Sequence, residues 1–304
     1  MKLSLRLFIY AGLGLFSFTL FLMMLFPYDS IRGRLVREVE NSLGSGYQVS
    51  IGKLRPYPLL GLSLRDVAIK QNSLTLVKIN KALLSFKLLP FLWGSFQVNF
   101  DFTLDKSEVE GFLAISKSNT HIDWELNDFN FKDLGYLASR YGLNLTSRID
   151  GKGSLELFPQ DPLKTTGRVV FAFKEMKLLE SEMKIGEGES AIPFSLPLLQ
   201  MAGGSDKSGL EILIDKGSME FKTIELKGPD LFLSLAGKVY MSQNWDDSRF
   251  SLTGNFGVSP AAGSKLPLLA LVDKEKGIDG KFPLVLTGRL NKPNIQIGST
   301  RLPF

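Results

Sequence analysis

The chain of 304 residues contains no cysteine and only one histidine, His121. The absence of thiols excludes disulfides and thiolate metal ligands, and one imidazole is too few for the usual zinc sites. Asp123 follows His121 two residues later, but no P-loop, dinucleotide-binding or metalloprotease motif accompanies the pair. We therefore predict no metal, cofactor or catalytic site, although an enzyme that uses only scattered carboxylates stays open.

Positive charge is concentrated near the N-terminus. The chain has a net charge of +5, and residues 1–60 hold seven Lys and Arg against three acids, which leaves +4 in that part. A nucleic-acid-binding protein is expected to carry its basic face on the folded body. We predict no nucleic-acid partner and expect this basic part to lie near anionic membrane lipids.

An uncharged, strongly apolar run extends from Leu7 to Phe26. Twenty helical residues span roughly 30 Å, the thickness of a bilayer core. Lys2 and Arg6 precede the run and predict a cytoplasmic N-terminus with the rest of the chain translocated. The alternative is a cleaved signal peptide, but the run ends in bulky residues where cleavage needs small ones. The pattern favours an uncleaved anchor over residues 1–28.

Residues 29–304 are predicted to form the body of the protein. Apolar residues recur every four positions from Ile31 to Leu43, which predicts an amphipathic helix after the anchor. This helix is expected either to pack its apolar stripe on the following sheet or to lie on the membrane surface.

Most of the body has the period-two alternation of β-strands. In FQVNFDFTL, residues 96–104, five apolar residues alternate with polar ones, and three of them are Phe. Similar patterns predict strands at 47–52, 62–70, 81–88, 96–104, 108–116, 151–158, 167–174, 210–215, 218–226, 230–241, 248–258 and 281–290. Short helices are predicted at 132–142 and 266–274, and a long loop at 186–209.

The order of these parts resembles a known family. The anchor runs into FPYDSIRGRL, a helix, the strand YQVSIGKL and then LLGLSLRDVAI, and INKALLSFKLLPFLWGSFQVNFDF follows with an apolar turn between two strands. This is similar to the start of AsmA-like proteins. The chain length and the closing LTGRLNKPNIQI resemble the stand-alone form of the type II secretion system protein N family.

The resemblance implies a mainly β body in the periplasm, held by an inner-membrane anchor. It implies a long, curved antiparallel sheet that forms an open groove or half-barrel. The expected function is a non-enzymatic component of the type II secretion system, with other secretion components as partners. The alternative is an AsmA-like lipid-binding or lipid-transfer protein of the cell envelope, with a phospholipid as ligand.

The Phe-rich strand faces are the candidate site. Large apolar side chains stabilise a fold by about 1.5–3 kcal/mol each when buried, so they are not left in water without a partner. The face is expected to be either the core of a closed sheet or the lining of an apolar groove that holds acyl chains or is filled by the two short helices. The candidate lining residues are Phe96, Val98, Phe100, Phe102, Phe171, Phe173, Leu231, Leu233, Leu235, Phe250 and Leu252.

Overall fold

A computed structural model describes most of the body. The described residues are 13, 14, 17, 28–44, 46–57, 61–71, 74–91, 94–134, 142–185, 192–203, 207–242, 244 and 247–302. Apart from three of its residues, the predicted anchor from Leu7 to Phe26 lies outside them. Within the described ranges, no helix has the length and apolar character needed to cross a membrane.

The body is one large, open, antiparallel sheet of 16 strands. Fifteen strands lie side by side, and β11 pairs with β8 outside this path, while β9 and β10 form a separate hairpin. The first strands are β1 (Tyr47–Tyr57), β2 (Gly61–Gln71), β3 (Leu74–Lys87), β4 (Phe96–Leu104), β5 (Ser107–Ile115) and β6 (Thr120–Phe129). The middle strands are β7 (Leu145–Leu157), β8 (Thr166–Leu178), β9 (Ser181–Ile185), β10 (Ile192–Leu196), β11 (Leu199–Ala202) and β12 (Ser208–Asp215). The last strands are β13 (Ser218–Lys227), β14 (Leu231–Tyr240), β15 (Arg249–Val258), β16 (Phe282–Arg289), β17 (Lys292–Ile297) and β18 (Thr300–Leu302).

The spatial order of the strands follows the chain almost throughout. The path runs from β1 to β8, continues with β12 and ends with β18. Short turns join most neighbours, as expected for antiparallel strands connected by hairpins. The mainly β class predicted from the alternation is confirmed, and each of the twelve predicted strands overlaps an observed one.

Few helices are present in the described chain. The α-helices are α1 (Tyr28–Leu43), α2 (Leu88–Phe91) and α3 (Pro260–Gly263), and the 3-10 helices are Phe131–Asp133, Pro162–Lys164 and Pro267–Glu275. The helix predicted at 266–274 is thus present, as a 3-10 helix. Of the helix predicted at 132–142, the structure describes a single 3-10 turn followed by Leu134, which bridges to Val77 of β3.

Helix α1 lies beside β1, the first strand of the sheet. The backbone N–H of Val49 donates to Glu40 Oε1 at 2.8 Å, and Arg32 Nη1 donates to the carbonyl oxygen of Gly52 at 3.2 Å. Polar groups of the helix therefore partner backbone groups of an edge strand, which protects the edge from pairing with other chains.

Three of the buried clusters lie at one end of the strands. We call this the capped end, where β4, β8 and β15 finish and where β14 and β16 begin. The clusters are centred on Ile149, Leu178 and Val272. Strand β11, helix α3 and the 3-10 helix Pro267–Glu275 contribute Ala202, Ala262 and Val272 to them. At the opposite, free end, where β4 begins, Phe96 and Ile115 are 43% and 41% exposed.

Candidate functional site: the apolar face of the sheet

Cross-strand pairing joins apolar residues into three continuous rows. Each row runs from strand to strand through residues that directly oppose one another, and every member is apolar or glycine. We call the surface formed by these rows the apolar face. With strands about 4.8 Å apart, a row that crosses 14 strands extends over roughly 60 Å.

The first row crosses 14 strands and contains Leu54, Leu64, Ala82, Phe102, Val109, Leu126, Gly151, Phe171, Leu210, Ile224, Leu235, Gly254, Leu284 and Ile297. The second row crosses all 15 strands of the path and contains Pro56, Leu62, Leu84, Phe100, Gly111, Trp124, Gly153, Val169, Ile212, Phe221, Gly237, Leu252, Leu286, Ile295 and Leu302. The third row crosses 12 strands and contains Phe86, Val98, Leu113, Ile122, Leu155, Gly167, Ile214, Met219, Val239, Phe250, Gly288 and Pro293.

The structure places all eleven predicted lining residues on this face. Seven belong to the three rows, and the other four alternate with them along β4, β8 and β14. Those four are Phe96, Phe173, Leu231 and Leu233. Phe96 lies at the free end, whereas Phe173, Leu231 and Leu233 pack against the buried cluster around Ile149 at the capped end.

Most of the eleven side chains are half-exposed. Among them only Leu235 is buried, at 6% exposure. The 3-10 helix Pro267–Glu275 covers the face near β15 to β17, where Val272 packs with Phe256 and Phe282. In the described part of the chain, no second sheet covers the centre of the face. Of the two predicted alternatives, a closed core and an apolar groove, the half-exposed side chains of β4 and β15 favour the groove.

Glycines in the rows make room for aromatic rings from the neighbouring strand. A β-carbon added to Gly151 would lie 2.6 Å from the ring of Phe171, and one added to Gly111 would lie 2.7 Å from Phe100 Cζ. The rings of Trp124 and Phe171 are themselves in contact, with centroids 5.5 Å apart. The aromatic rings can therefore lie close to the backbone of the sheet, so that they project little above the apolar face.

The opposite face carries the charged residues, including an ion-pair network where β6, β7 and β8 bulge. Lys174 Nζ lies 2.7 Å from Asp150 Oδ2 and 3.3 Å from Asp128 Oδ1, and Arg148 Nη2 lies 3.2 Å from Asp128 Oδ1. Hydrogen bonds from Arg148 and Lys174 lower the pKa of Asp128 below its ordinary value. The hydrogen bond to Asp150 is the main cause of a raised pKa at Lys174.

His121 and Asp123 also lie on this polar face. His121 Nε2 and Asp123 Oδ2 are 2.7 Å apart, and both side chains are more than one-third exposed. The two residues are i and i+2 on β6, so strand geometry alone brings them together. No group of three metal-ligating residues occurs within the described ranges.

A cavity of about 830 Å³ lies over the polar side of β3 to β8. Asn99, Phe112, Asp123, Ser154 and Arg168 oppose one another in consecutive strands along its floor. Its charged lining contains both carboxylates and cations. It is therefore distinct in chemistry from the apolar face on the other side of the same strands.

The prediction missed several residues of the apolar face because it missed β6. Ile122, Trp124 and Leu126 alternate there with His121 and three other polar residues. The same period-two signal that identifies β4 is therefore present in β6, and it was sufficient to find the strand.

Comparison of the chain with protein-family models, with curated proteins and with solved structures found no match.

Proposed function

We propose that the protein binds the acyl chains of membrane lipids along its apolar face, as an envelope protein held to the inner membrane by its N-terminal segment. The observation that carries this proposal is the second row, which crosses 15 strands without a polar side chain and lies largely half-exposed. A continuous uncovered apolar surface of this size requires a partner.

The dimensions of the face suit acyl chains. One acyl chain occupies about half of a bilayer core that is roughly 30 Å thick. The rows extend over roughly 60 Å, and neighbouring rows are about 7 Å apart along the strands. The face therefore has room for more than one chain. The Trp124 indole is the one N–H donor among the side chains of the three rows, so the face favours hydrocarbon over a polar ligand.

A curved sheet is part of this proposal. The protein has one open antiparallel sheet of 16 strands. Open sheets of more than about ten strongly twisted strands generally curl, split or flatten. We propose that curling forms the open groove or half-barrel that the resemblance to AsmA-like proteins implies.

The proposed location rests on the sequence. The run from Leu7 to Phe26 is the proposed anchor, with the N-terminus in the cytoplasm and residues 29–304 in the periplasm. A reporter fused after Phe304 that is active only in the periplasm tests this orientation. Activity of a cytoplasmic reporter at the same position would contradict it.

Photocrosslinking in living cells tests the groove. A photoreactive phenylalanine analogue replaces Phe100 in one strain and Phe250 in another, and mass spectrometry identifies the adducts. We expect phospholipid adducts at both positions because both lie half-exposed in the apolar rows.

The matched control places the same analogue at Ser251, the neighbour of Phe250 that points to the polar face of β15. This variant is expected to give no lipid adducts. Adducts confined to the chain at Phe100 and Phe250, or equal lipid labelling at Phe250 and Ser251, would overturn the proposal.

A second candidate is a component of the type II secretion machine, as the resemblance implies. The feature that favours it is the C-terminal edge of the sheet. Strand β18 pairs with only Ile295, Gln296 and Ile297 of β17, so the first half of β17 has no outer neighbour among the described residues. Such an edge can receive a strand from another protein.

Two experiments test this second candidate. We expect secretion components to copurify with the full chain and to crosslink to a photoreactive analogue placed at Lys292. Their absence from both experiments would remove this candidate.

A further inference from the structure

Strands β1 to β3 carry an excess of positive charge that the rest of the body does not share. Residues 47–87 contain seven Lys and Arg and a single acid, Asp66. Their net charge of +6 exceeds the +5 of the whole chain, so all other residues together carry −1. The excess is therefore local to three adjacent strands.

The seven cations share one surface. Lys53, Arg65 and Lys81 oppose one another directly in β1, β2 and β3. The apolar residues between them, including Leu64 and Ala82, are buried in a cluster on the other side. All seven cations are exposed. We call their surface the basic patch.

The cations of the basic patch form no ion pairs among the described residues. Eight pairs of Lys or Arg with a carboxylate are described elsewhere in the body, yet none of the seven cations has a carboxylate within 4.0 Å. Like charges directly opposite each other in a sheet are destabilising. Three aligned cations without a partner therefore point to an anionic surface outside the chain.

We infer that the basic patch is a docking face for a membrane surface that contains anionic phospholipid headgroups. The patch follows α1, and α1 follows directly on the apolar run that ends at Phe26, so a membrane is the closest source of negative charge in the proposed arrangement. Cations near such a surface each contribute roughly fivefold in affinity, and contributions accumulate over a cluster. Docking would set the first strands of the sheet against the headgroups, independently of what the apolar face holds.

The lack of cysteine allows a direct test with the full chain. Ser63→Cys places one fluorescent donor within the basic patch, and Ser251→Cys places one on the polar face of β15. The labelled protein is reconstituted in nanodiscs of phosphatidylcholine, with or without phosphatidylglycerol, that contain a headgroup-labelled acceptor. We expect strong energy transfer from position 63 only with phosphatidylglycerol, weak transfer from position 251 in both, and loss of the difference at high salt.

Two matched triple variants distinguish an effect of the basic patch from an effect of the net charge of the protein. Lys53→Glu, Arg65→Glu and Lys81→Glu together reverse the row in β1 to β3. Arg249→Glu, Arg289→Glu and Lys292→Glu reverse an equally aligned row in β15 to β17, where Asp247 already lies 3.5 Å from Arg289. The first variant should lower the docked-to-undocked ratio by roughly 100-fold or more, and the second should leave it nearly unchanged.

Three outcomes would overturn the inference: equal loss in both variants, no loss in the first, or displacement of the patch from the disc by an oligonucleotide at equal phosphate concentration. The last result would make nucleic acid the partner. Lipid adducts at Phe100 in the first triple variant report on the groove separately, so the groove and the docking face can fail independently.

Discussion

The indole ring of Trp124 lies directly over Gly153 of the neighbouring strand. A β-carbon added to Gly153 would come within 2.5 Å of that ring. The two residues oppose each other in the second row of the apolar face. The glycine is thus the space into which the ring fits.

Gly153→Ala should therefore destabilise the protein. The added methyl group has to displace the indole, and overpacking of this kind costs about 1–3 kcal/mol. Urea unfolding of the full chain measures the loss. In a Trp124→Leu background the same substitution should cost less, and equal costs in the two backgrounds would contradict the contact. Gly33→Ala in α1 is the control, because nothing lies within 4 Å of its added β-carbon and the change should stabilise the helix by about 0.5–1 kcal/mol.

The capped end should contain most of the packing energy. Ile149 is 2% exposed, whereas Val98 in the third row is half-exposed. Ile149→Ala is expected to reduce the free energy of unfolding by about 2–5 kcal/mol. Val98→Ala should cost clearly less, because part of that side chain is already accessible to solvent. A larger cost for Val98→Ala, measured by the same unfolding experiment, would place a second core at the centre of the sheet.

A charge introduced on the apolar face should remove bound lipid without unfolding the chain. Leu252 is half-exposed in the second row, and the exposed Thr253 points to the other face. Leu252→Lys is expected to lower the amount of phospholipid that copurifies, as quantified by mass spectrometry, while the circular dichroism spectrum stays the same. Thr253→Lys should change neither. If Leu252→Lys unfolds the protein, the face is a closed core and the lipid proposal fails.

The ion-pair network around Lys174 should make stability depend on pH at both extremes. The lowered pKa of Asp128 stabilises the fold above the ordinary carboxyl pKa of about 3.9, and this contribution is lost as the pH falls through the lowered value. The raised pKa of Lys174 stabilises the fold below about pH 10.4, and that contribution is lost as the pH rises through the raised value.

Asp128→Asn tests the predicted loss of stability at low pH. Asn tolerates the positive φ of 48° at this position, so the substitution removes the charge and keeps the backbone. The variant should lose a small amount of stability near neutral pH, because the network is exposed, and should show a shallower fall in acid. An unchanged acid profile in chemical unfolding would mean that another carboxylate controls it.

Glu275 should hold the end of the 3-10 helix to the last hairpin. Its carboxylate accepts hydrogen bonds from the Ser299 N–H at 2.7 Å, the Ser299 hydroxyl at 2.6 Å and the Thr300 hydroxyl at 3.1 Å. The hydrogen bond from the Ser299 side chain is the main cause of its lowered pKa. Glu275→Gln should therefore speed hydrogen exchange at the Ser299 amide several-fold, while amides of β4 exchange as before. Equal exchange in both proteins would show that the contact does not hold this hairpin.

Period-two alternation was sufficient to predict most of this fold. In β4 each Phe stands between polar residues, so the strand and its apolar side follow from the sequence alone. The continuous rows were not predictable in the same way, because they depend on the register of every hairpin, and a shift of one residue reverses the faces. Bulges such as the one between Phe221 and Ile224 shift the register and keep the apolar residues on one side.

The strands β10 and β11 could not be predicted from local sequence patterns. Glycine, serine and proline are frequent between 186 and 209, and they predict a loop. Within the described residues, β10, β11 and the start of β12 form strands there, so this prediction was wrong. Strand β11 exists because Leu199 and Ala202 are buried at the capped end and because Gln200 bonds with Asp230. These are long-range contacts that no local pattern contains.

The strands lie in the sheet almost in the order in which they occur in the chain, and this has a consequence for how the sheet forms. Because nearly every strand pairs with the strand made just before it, the sheet can lengthen one hairpin at a time as the chain emerges, without waiting for distant segments. The same arrangement allows the apolar face to be lengthened by whole hairpins. Adding a hairpin at the tight turn between Asp215 and Ser218 would extend all three rows by about 10 Å and leave their cross-section unchanged. The length of the apolar face is thereby set by strand number alone.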